Sequence, residues 1–400
     1  MMHSIANEFD GSFFTRNSNI ENVSGKLTTY DDGSFELNTN KAFSNNDQVV
    51  EQNIYCKTDN YHISIIKPMY KLKTTGGIGF GCEPVRKCIL FGSIIIMGDS
   101  YLDDVDDLQI KALSCNIECS KWFFNNSHSE SSNYDDLAPK EVTLNYHAAK
   151  ITINSAHDFK LGKRKTKICI TSNELLNYNY AQEALHKVIT FLSFGTKKIV
   201  RHFGHEVINQ ENKEFLLIYK PSFYSEKKQE SDFCLFYYNT NNIQTIFCKW
   251  STILGEVEHI LRLYFLPKIN KLDAVLKFIT YSQVIECLHR KLTKDNKKTY
   301  LGRINDVIFD EIYGNFISKE THDGLNDLLK NTRNYYTHYN DKLKNIPDGI
   351  ELFYLTLKLE LLIDLFLLKN LEFTYDHFKK ININVIDNKL RRKENIAKYS

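Results

Sequence analysis

The sequence predicts an α+β protein, in which a β-rich N-terminal domain with added helices is followed by an all-α helical bundle. Roughly the first 175 residues alternate short β-branched and aromatic segments with Gly, Asn and Asp turns, a pattern typical of successive strands. From about Leu272 onward, apolar residues recur at helical spacing instead. A chain of 400 residues is long enough for two or three domains, and we place the boundary between residues 1–265 and 266–400.

Several segments of the first domain carry strand signals. Residues 25–30 and 34–37 flank an Asp-Asp-Gly turn, and residues 141–146 and 167–171 continue the same pattern. Residues 88–97 are apolar on both faces, as expected of one central, buried strand.

Two helices are predicted near the end of this domain. The first spans residues 181–194, and Gly195 is placed to terminate it. The second, near residues 250–266, carries seven apolar residues on one stripe, which we interpret as a surface facing the core. Pro267 should end or bend this helix.

Four further helical segments with short connections predict a compact α bundle. They lie at about residues 272–292, 301–316, 321–338 and 350–371. The fourth segment is apolar nearly all round, so it should be buried, in part against a second subunit.

The third helix of the bundle contains the most informative string, which runs from Arg333 to His338 and includes Asn334. Arginine is permanently cationic and suited to phosphate, while histidine exchanges protons near neutral pH. These are the parts needed to cleave a phosphodiester without a metal ion. The spacing alone is a weak signal, and an exposed helix with a structural histidine is the alternative interpretation.

The surrounding residues resemble the HEPN superfamily, and specifically the ApeA-type HEPN domain. The resemblance is carried by the string from Arg333 to His338, by Tyr339, by the long apolar helix that follows, and by an upstream segment containing Glu286. It covers roughly the last 130 residues. The preceding region is similar to the ApeA N-terminal domain only in its order of elements. Members with an intact motif are generally metal-independent ribonucleases, often toxins or abortive-infection effectors against phage.

The resemblance implies attack by an RNA 2′-hydroxyl on the adjacent phosphate, which excludes DNA as a substrate. His338 would act as general acid or base, and Arg333 would stabilise charge on the phosphorane. Asn334 would position the phosphate or the histidine. Glu286 is a candidate for orienting Arg333 or His338, and a purely structural hydrogen bond is its alternative role.

RNA binding is assigned to residues of the same helix. Tyr335 and Tyr336 could stack on unpaired bases, and Lys330 could contact phosphate. Tyr339 is a supporting site residue that could stack in the same way. Packing inside the bundle is the default expectation for at least one of these tyrosines. The exposed bases of a tRNA anticodon loop make tRNA one candidate substrate.

The spacing of the motif constrains its assembly. Five positions on a straight helix correspond to about 140° of rotation, so Arg333 and His338 should point to different faces. A shared site requires either a break in the helix or two copies that meet across an interface. The resemblance implies the second solution, a symmetric homodimer through the HEPN domain. Higher assembly through the N-terminal domain stays open.

No cofactor and no metal ion are predicted. Cys115 and Cys119, Cys82 and Cys88, and the pair His202 and His205 lack partners at zinc-site spacing, and we expect the histidine pair in a loop. Nine cysteines without a framework predict reduced thiols and a cytoplasmic location. Neither a secretory signal nor a membrane span is recognised.

Two other function classes remain open. The HEPN-like domain could be non-catalytic, binding nucleotide or only dimerising, with a ligand-sensing N-terminal domain. The chain could also be an interaction protein, since residues 1–265 offer no catalytic constellation; a phage-derived trigger would fit such a domain. The net charge of +2 does not indicate a general affinity for nucleic acid. The basic segment 389–393 is one local candidate, and a solvated terminal helix is its alternative.

Overall fold

A computed structural model of the chain describes residues 5–16, 22–30, 33–39, 53–75, 85–91, 94–105, 108–118, 139–158, 163–219, 234–238, 240–310, 324–339, 343 and 345–373. The chain forms two compact units. The first comprises residues 1–193 and 200–228, and the second comprises residues 194–199 and 229–400. The second unit thus begins well before the predicted boundary at 265/266. The basic segment 389–393 lies outside the described residues.

The first unit is built on an antiparallel sheet, as the α+β prediction requires. Its fourteen described strands lie in the order β10-β11-β12-β9-β13-β14-β8-β5-β4-β1-β2-β3-β7-β6. The strands are β1 Ile5–Phe14, β2 Val23–Tyr30, β3 Phe35–Thr39, β4 Ile54–Lys57, β5 His62–Ile66, β6 Met69–Thr75, β7 Val85–Phe91, β8 Ile94–Gly98, β9 Gln109–Glu118, β10 Lys140–Tyr146, β11 Ala149–Asp158, β12 Lys163–Asn177, β13 Arg201–Asn209 and β14 Glu214–Ile218.

Alternation of side chains sets the register of these strands. In β11, Ala149, Ile151 and Ile153 are buried, and the residues between them are exposed or half-buried. β11 pairs with both β10 and β12 without a shift in register, so Ile151 and Ile153 lie beside buried residues of both neighbours. The strand predictions at residues 25–30, 34–37, 141–146 and 167–171 are confirmed.

The apolar run at residues 88–97 is not one strand, contrary to the prediction. It divides between β7, which pairs with β3 and β6, and β8, which lies between β14 and β5. Gly92 and Ser93, both turn formers, separate the two halves in the sequence. The pair His202 and His205 was also misplaced, because both residues lie on β13 rather than in a loop.

Helix α1, Tyr178–Gly195, confirms the first helix prediction and ends at the expected glycine. A Cβ at Gly195 would lie 2.4 Å from Cζ of Phe236. The close approach of this ring therefore requires a residue without a side chain, independently of its role in ending the helix.

The second unit is helical. After the end of α1 it contains α2 Ile243–Ile269, α3 Ala274–Thr293, α4 Tyr300–Ile308, α5 Leu325–His338 and α6 Gly349–Asn370. The predicted helix at 301–316 ends earlier, at Ile308, and residues 311–323 lie outside the described part of the chain. Trp250 and the rest of its stripe on α2 are buried, as predicted, and Pro267 lies in the last turn of that helix.

Helix α6 is buried by its own chain over most of its length, so its predicted burial is confirmed. Its large apolar residues are buried or half-buried except for Ile350 and Phe353 at the N-terminal end, which are 54% and 42% exposed. Among the helices that the structure describes, none combines the length and apolarity needed to cross a lipid bilayer.

Two acidic residues of α6 are buried in a balanced ionic network. Glu360 accepts from Lys197 Nζ at 2.6 Å and also from Lys268. Asp364 accepts from Lys197 and, at 2.6 Å, from the Tyr264 hydroxyl. Two cations and two anions therefore neutralise one another where water is largely excluded.

Removing one member of this network should strongly destabilise the second unit. We expect Asp364→Ala to lower the free energy of unfolding by about 3–5 kcal/mol, because two buried lysine charges are then left with one carboxylate, Glu360. The urea midpoint measures this effect. The double variant Lys197→Met/Asp364→Leu keeps the remaining pair balanced and should recover much of the loss. Equal destabilisation by the single and double variants would contradict this account.

Candidate functional site

Helix α5 carries the predicted motif and runs without interruption to His338. Tyr339 follows it in the left-handed conformation, with φ 48° and ψ 49°, and its N–H donates to the Tyr335 carbonyl at 2.6 Å. Leu325, Leu329 and Thr332 are buried and anchor the helix in the bundle. The helical break considered from the sequence as one way to bring Arg333 and His338 together is therefore absent.

Arg333 is held in a defined position at the surface of the bundle. Its Nη2 donates to Glu286 Oε2 at 3.2 Å, and its Nη1 donates to Asn334 Oδ1 at 3.3 Å. The guanidinium carbon lies 5.3 Å from the centroid of the Tyr300 ring, within cation–π range. Burial raises the pKa of Tyr300 to about 12, so this ring remains neutral. About a quarter of the Arg333 side chain stays exposed, which leaves room for an anionic ligand.

Glu286 on α3 bridges two arginines. One carboxylate oxygen accepts from Arg333, and the other accepts from Arg290 Nη2 at 2.9 Å, one helical turn along α3. The three side chains together carry one positive charge. Lys330, one turn before Arg333 on α5, is a third cation, and Asp327 lies 3.8 Å from its Nζ. This part of the surface is therefore suited to binding a phosphate.

Asn334 lies between the arginine and the histidine on the helix surface. It contacts Arg333 directly, and it stands one turn before His338, a spacing at which side chains are neighbours. His338 is exposed to solvent. Since the helix is regular, Arg333 and His338 remain about 140° apart around its axis. A single chain thus brings together Arg333, Asn334 and Glu286, but not Arg333 and His338.

The three tyrosines of the motif have different environments. The Tyr335 and Tyr336 rings pack edge to face with centroids 5.1 Å apart. The Tyr336 hydroxyl donates to the Pro347 carbonyl at 2.9 Å, and partial burial raises its pKa. Tyr336 thus ties the end of α5 to the start of α6. Tyr339 is 77% exposed and is the most accessible of the three for stacking on a base.

Arg290 and Tyr300 were not singled out from the sequence. Arg290 lies four residues after Glu286 on one helix, a spacing that favours an ion pair and could have identified it. Tyr300 begins α4, 33 positions before Arg333, and no local pattern links the two residues.

Comparison with known proteins identifies the family of this region. A family model described as Apea-like HEPN matches residues 279–377, a quarter of the chain, which include Glu286, Arg333, His338 and helix α6. No curated protein and no solved structure matches the chain. HEPN domains are generally of ribonuclease type, commonly dimerise and bind RNA, so the match indicates a nuclease-like protein of the kind associated with anti-phage defence. The chain therefore contains an ApeA-like HEPN domain at residues 279–377, within the second, helical unit.

Proposed function

We propose that this protein is a metal-independent endoribonuclease of an anti-phage abortive-infection system, and that it acts as a homodimer. The observation that carries this proposal is the position of Arg333. It is fixed by Glu286, Asn334 and the Tyr300 ring, yet it remains partly exposed beside an asparagine that leads to an exposed histidine. An arginine held in this way is prepared for charge that develops on a phosphate in the transition state.

The proposed reaction is transesterification within the RNA. The ribose 2′-oxygen loses its proton to one His338 imidazole and forms a bond to phosphorus, while the bond from phosphorus to the 5′-oxygen breaks. The departing 5′-oxygen takes a proton from an imidazolium. The products are a 2′,3′-cyclic phosphate and a 5′-hydroxyl. Arg333 stabilises the phosphorane oxygens through its paired N–H groups.

Two copies of the motif fit this reaction better than one. Within one chain, Arg333 and His338 lie about 140° apart on a regular helix, so one phosphate cannot readily meet both. A two-fold axis near the motif would place the histidine of each chain beside the arginine of the other. It would also supply two imidazoles, one as base and one as acid.

The substrate is proposed to be an unpaired RNA segment, and a tRNA anticodon loop is one candidate. Exposed Tyr339 offers a stacking surface, while Lys330 extends the positive charge around Arg333. Double-stranded RNA hides its base faces and would use neither feature well.

Mapping of RNA ends tests the proposed function directly. RNA from cells that express the intact protein should carry new 2′,3′-cyclic phosphate and 5′-hydroxyl ends at defined positions. Cells that express Arg333→Ala should lack them. Identical end profiles in the two samples would instead favour a non-catalytic HEPN domain that binds nucleotide or only dimerises.

Cleavage is expected to continue after a brief addition of excess EDTA. The motif supplies its own cation and its own acid and base, so the chemical step needs no metal ion. The initial rate on a purified, unstructured RNA should change less than about twofold, well below the loss expected when an acid or base is removed. Immediate loss of activity that Mg²⁺ or Mn²⁺ restores would place the protein in a different nuclease class.

A further inference from the structure

A β-bulge in the first unit rearranges two histidines. In the pairing of β13 with β9, Phe203 lies opposite Asn116 and Glu206 lies opposite Ser114. Gly204 and His205 therefore both face the single residue Cys115. Gly204 has φ +61°, and a Cβ there would come within 3.1 Å of Asn116 Nδ2, so a glycine suits this position.

The bulge brings His202 and His205 to one face of the sheet. On a regular strand, residues three positions apart point to opposite faces. Here Phe203 and Glu206 are exposed, whereas His205 is buried and His202 is half-buried. Cys115, on the adjacent strand, is fully buried. Bulges that redirect side chains in this way are frequent next to functional sites.

The three side chains converge on one point. One ligand atom from each of Cys115, His202 and His205 lies within 4.8 Å of the other two. His202 Nδ1 and His205 Nε2 are 2.7 Å apart, and the His205 ring stacks on Tyr219 with centroids 4.5 Å apart. This stacking orients the His205 ring, and Cys115 is buried on the neighbouring strand.

We propose that Cys115, His202 and His205 form a transition-metal site, with Zn²⁺ as the expected ion. One thiolate and two imidazoles are a donor set that zinc accepts in tetrahedral geometry, and the fourth position is left for water or a further ligand. With Zn–N bonds of about 2.0–2.1 Å, the two ring nitrogens would separate to about 3.3 Å. A shift of that size is within the reach of side-chain rotation.

Binding would exchange a proton for the metal ion. Burial raises the pKa of the Cys115 thiol, so without a cation the sulfur keeps its proton. Zn²⁺ displaces that proton as the Zn–S bond forms, and the proton leaves to solvent. Burial, with a smaller effect from His186, lowers the pKa of His202 to about 4. Burial, with a smaller effect from His202, lowers the pKa of His205 to about 3. Both imidazoles are thus neutral at pH 7, the form that binds metal.

The competing interpretation is a neutral hydrogen bond between two core histidines beside a buried thiol. It accounts for the distance of 2.7 Å between the ring nitrogens. It gives no reason for a thiol to share the point on which both rings converge. The two interpretations differ in metal content, which can be measured without any assay of RNA cleavage.

Metal analysis of the full chain, produced without a polyhistidine tag, tests the site. Mass spectrometry of the metal content should find about one zinc ion per chain. Cys115→Ser and His205→Ala should each reduce this ratio at least about tenfold, since loss of one of three ligands forfeits most of the affinity. The matched controls are Cys169→Ser on β12, which pairs with β9, and His147→Asn in an exposed turn. Both should retain full zinc content.

Cobalt substitution keeps the test decisive if the variants fold poorly. The wild-type chain loaded with Co²⁺ should show the intense visible bands of a tetrahedral site and a thiolate-to-cobalt charge-transfer band. Cys115→Ser, where soluble, should lose the charge-transfer band. Wild-type protein that binds neither Zn²⁺ nor Co²⁺ would overturn the proposal, and so would zinc content unchanged in Cys115→Ser. Either result would leave the proposed ribonuclease activity untouched.

Discussion

Arg333→Ala and His338→Ala are each expected to lower the rate of RNA cleavage by about 10²- to 10⁴-fold, while folding and dimerisation stay nearly intact. Both residues are proposed to act on the transition state. The contact of Arg333 with Glu286 is a partly exposed ion pair, a kind that contributes at most about 1 kcal/mol to stability. His338 is exposed at the end of α5, so its removal leaves no cavity.

Two surface residues of α2 provide matched controls. Arg262 forms an ion pair with Glu258 at 2.7 Å, much as Arg333 does with Glu286, and His259 is exposed as His338 is. Arg262→Ala and His259→Ala should cleave at the wild-type rate. Rates are compared on one purified RNA with each protein in excess. If Arg333→Ala or His338→Ala keeps near wild-type cleavage under these conditions, the site assignment is wrong.

The sequence was most informative where a pattern is local. Short β-branched and aromatic segments between turn residues predicted the strands at residues 141–146 and 167–171, and Gly195 marked the end of α1. The sequence was less informative where contacts with segments distant in the chain decide the structure. The run at residues 88–97 is apolar on both sides of Gly92 and Ser93, and composition does not reveal that its two halves pair with different strands.

The domain boundary illustrates the same limit. The sequence placed the boundary beside Pro267, near the end of α2. The second unit instead includes all of α2, so the end of this helix did not mark the boundary. The Trp250 ring on α2 stacks on Phe194 with centroids 5.1 Å apart, so α2 packs with residues of its own, second unit. Such a contact joins residues 56 positions apart and leaves no trace in periodicity.

The candidate site shows a similar division. Family resemblance singled out Glu286 together with Arg333, although 47 positions separate them, and the two side chains are in contact. The ring of Tyr300 under Arg333 depends on how α4 packs, which spacing alone does not encode. The convergence of His202 and His205 depends on a bulge, because a strand without one would have separated them.

Cleavage activity is expected to require at least a homodimer formed through residues of about 270–371. One reason is the angle of about 140° between Arg333 and His338 on an unbroken helix. A second is an apolar surface beside the motif. The hydrogen bond from Tyr336 to Pro347 brings the end of α5 to the start of α6, where Tyr339, Ile350 and Phe353 are exposed. Exposed apolar groups that cluster beside a site are typical of an interface.

The mass of the protein in solution tests this interface. Wild-type protein should sediment as a dimer or a higher assembly, and Ile350→Glu/Phe353→Glu should shift it toward monomer and lose activity in parallel. The control is Leu175→Glu in the first unit, which replaces an apolar residue of similar exposure outside the expected interface. A monomeric variant that keeps full activity would contradict the requirement for two copies.

Mixing two inactive variants tests whether one active site takes residues from both chains, or whether each chain of the dimer holds a complete site. An Arg333→Ala chain and a His338→Ala chain each lack one essential group, but a heterodimer holds one intact arginine and one intact histidine on opposite chains. Free exchange of equal amounts gives half heterodimers, so measurable cleavage should return if one arginine and one histidine from opposite chains suffice. No recovery from proven heterodimers would mean that both copies of each residue are needed. Full activity of a wild-type monomer at about nanomolar concentration would rule out a composite site, because at that dilution each chain would have to cleave with its own Arg333 and His338.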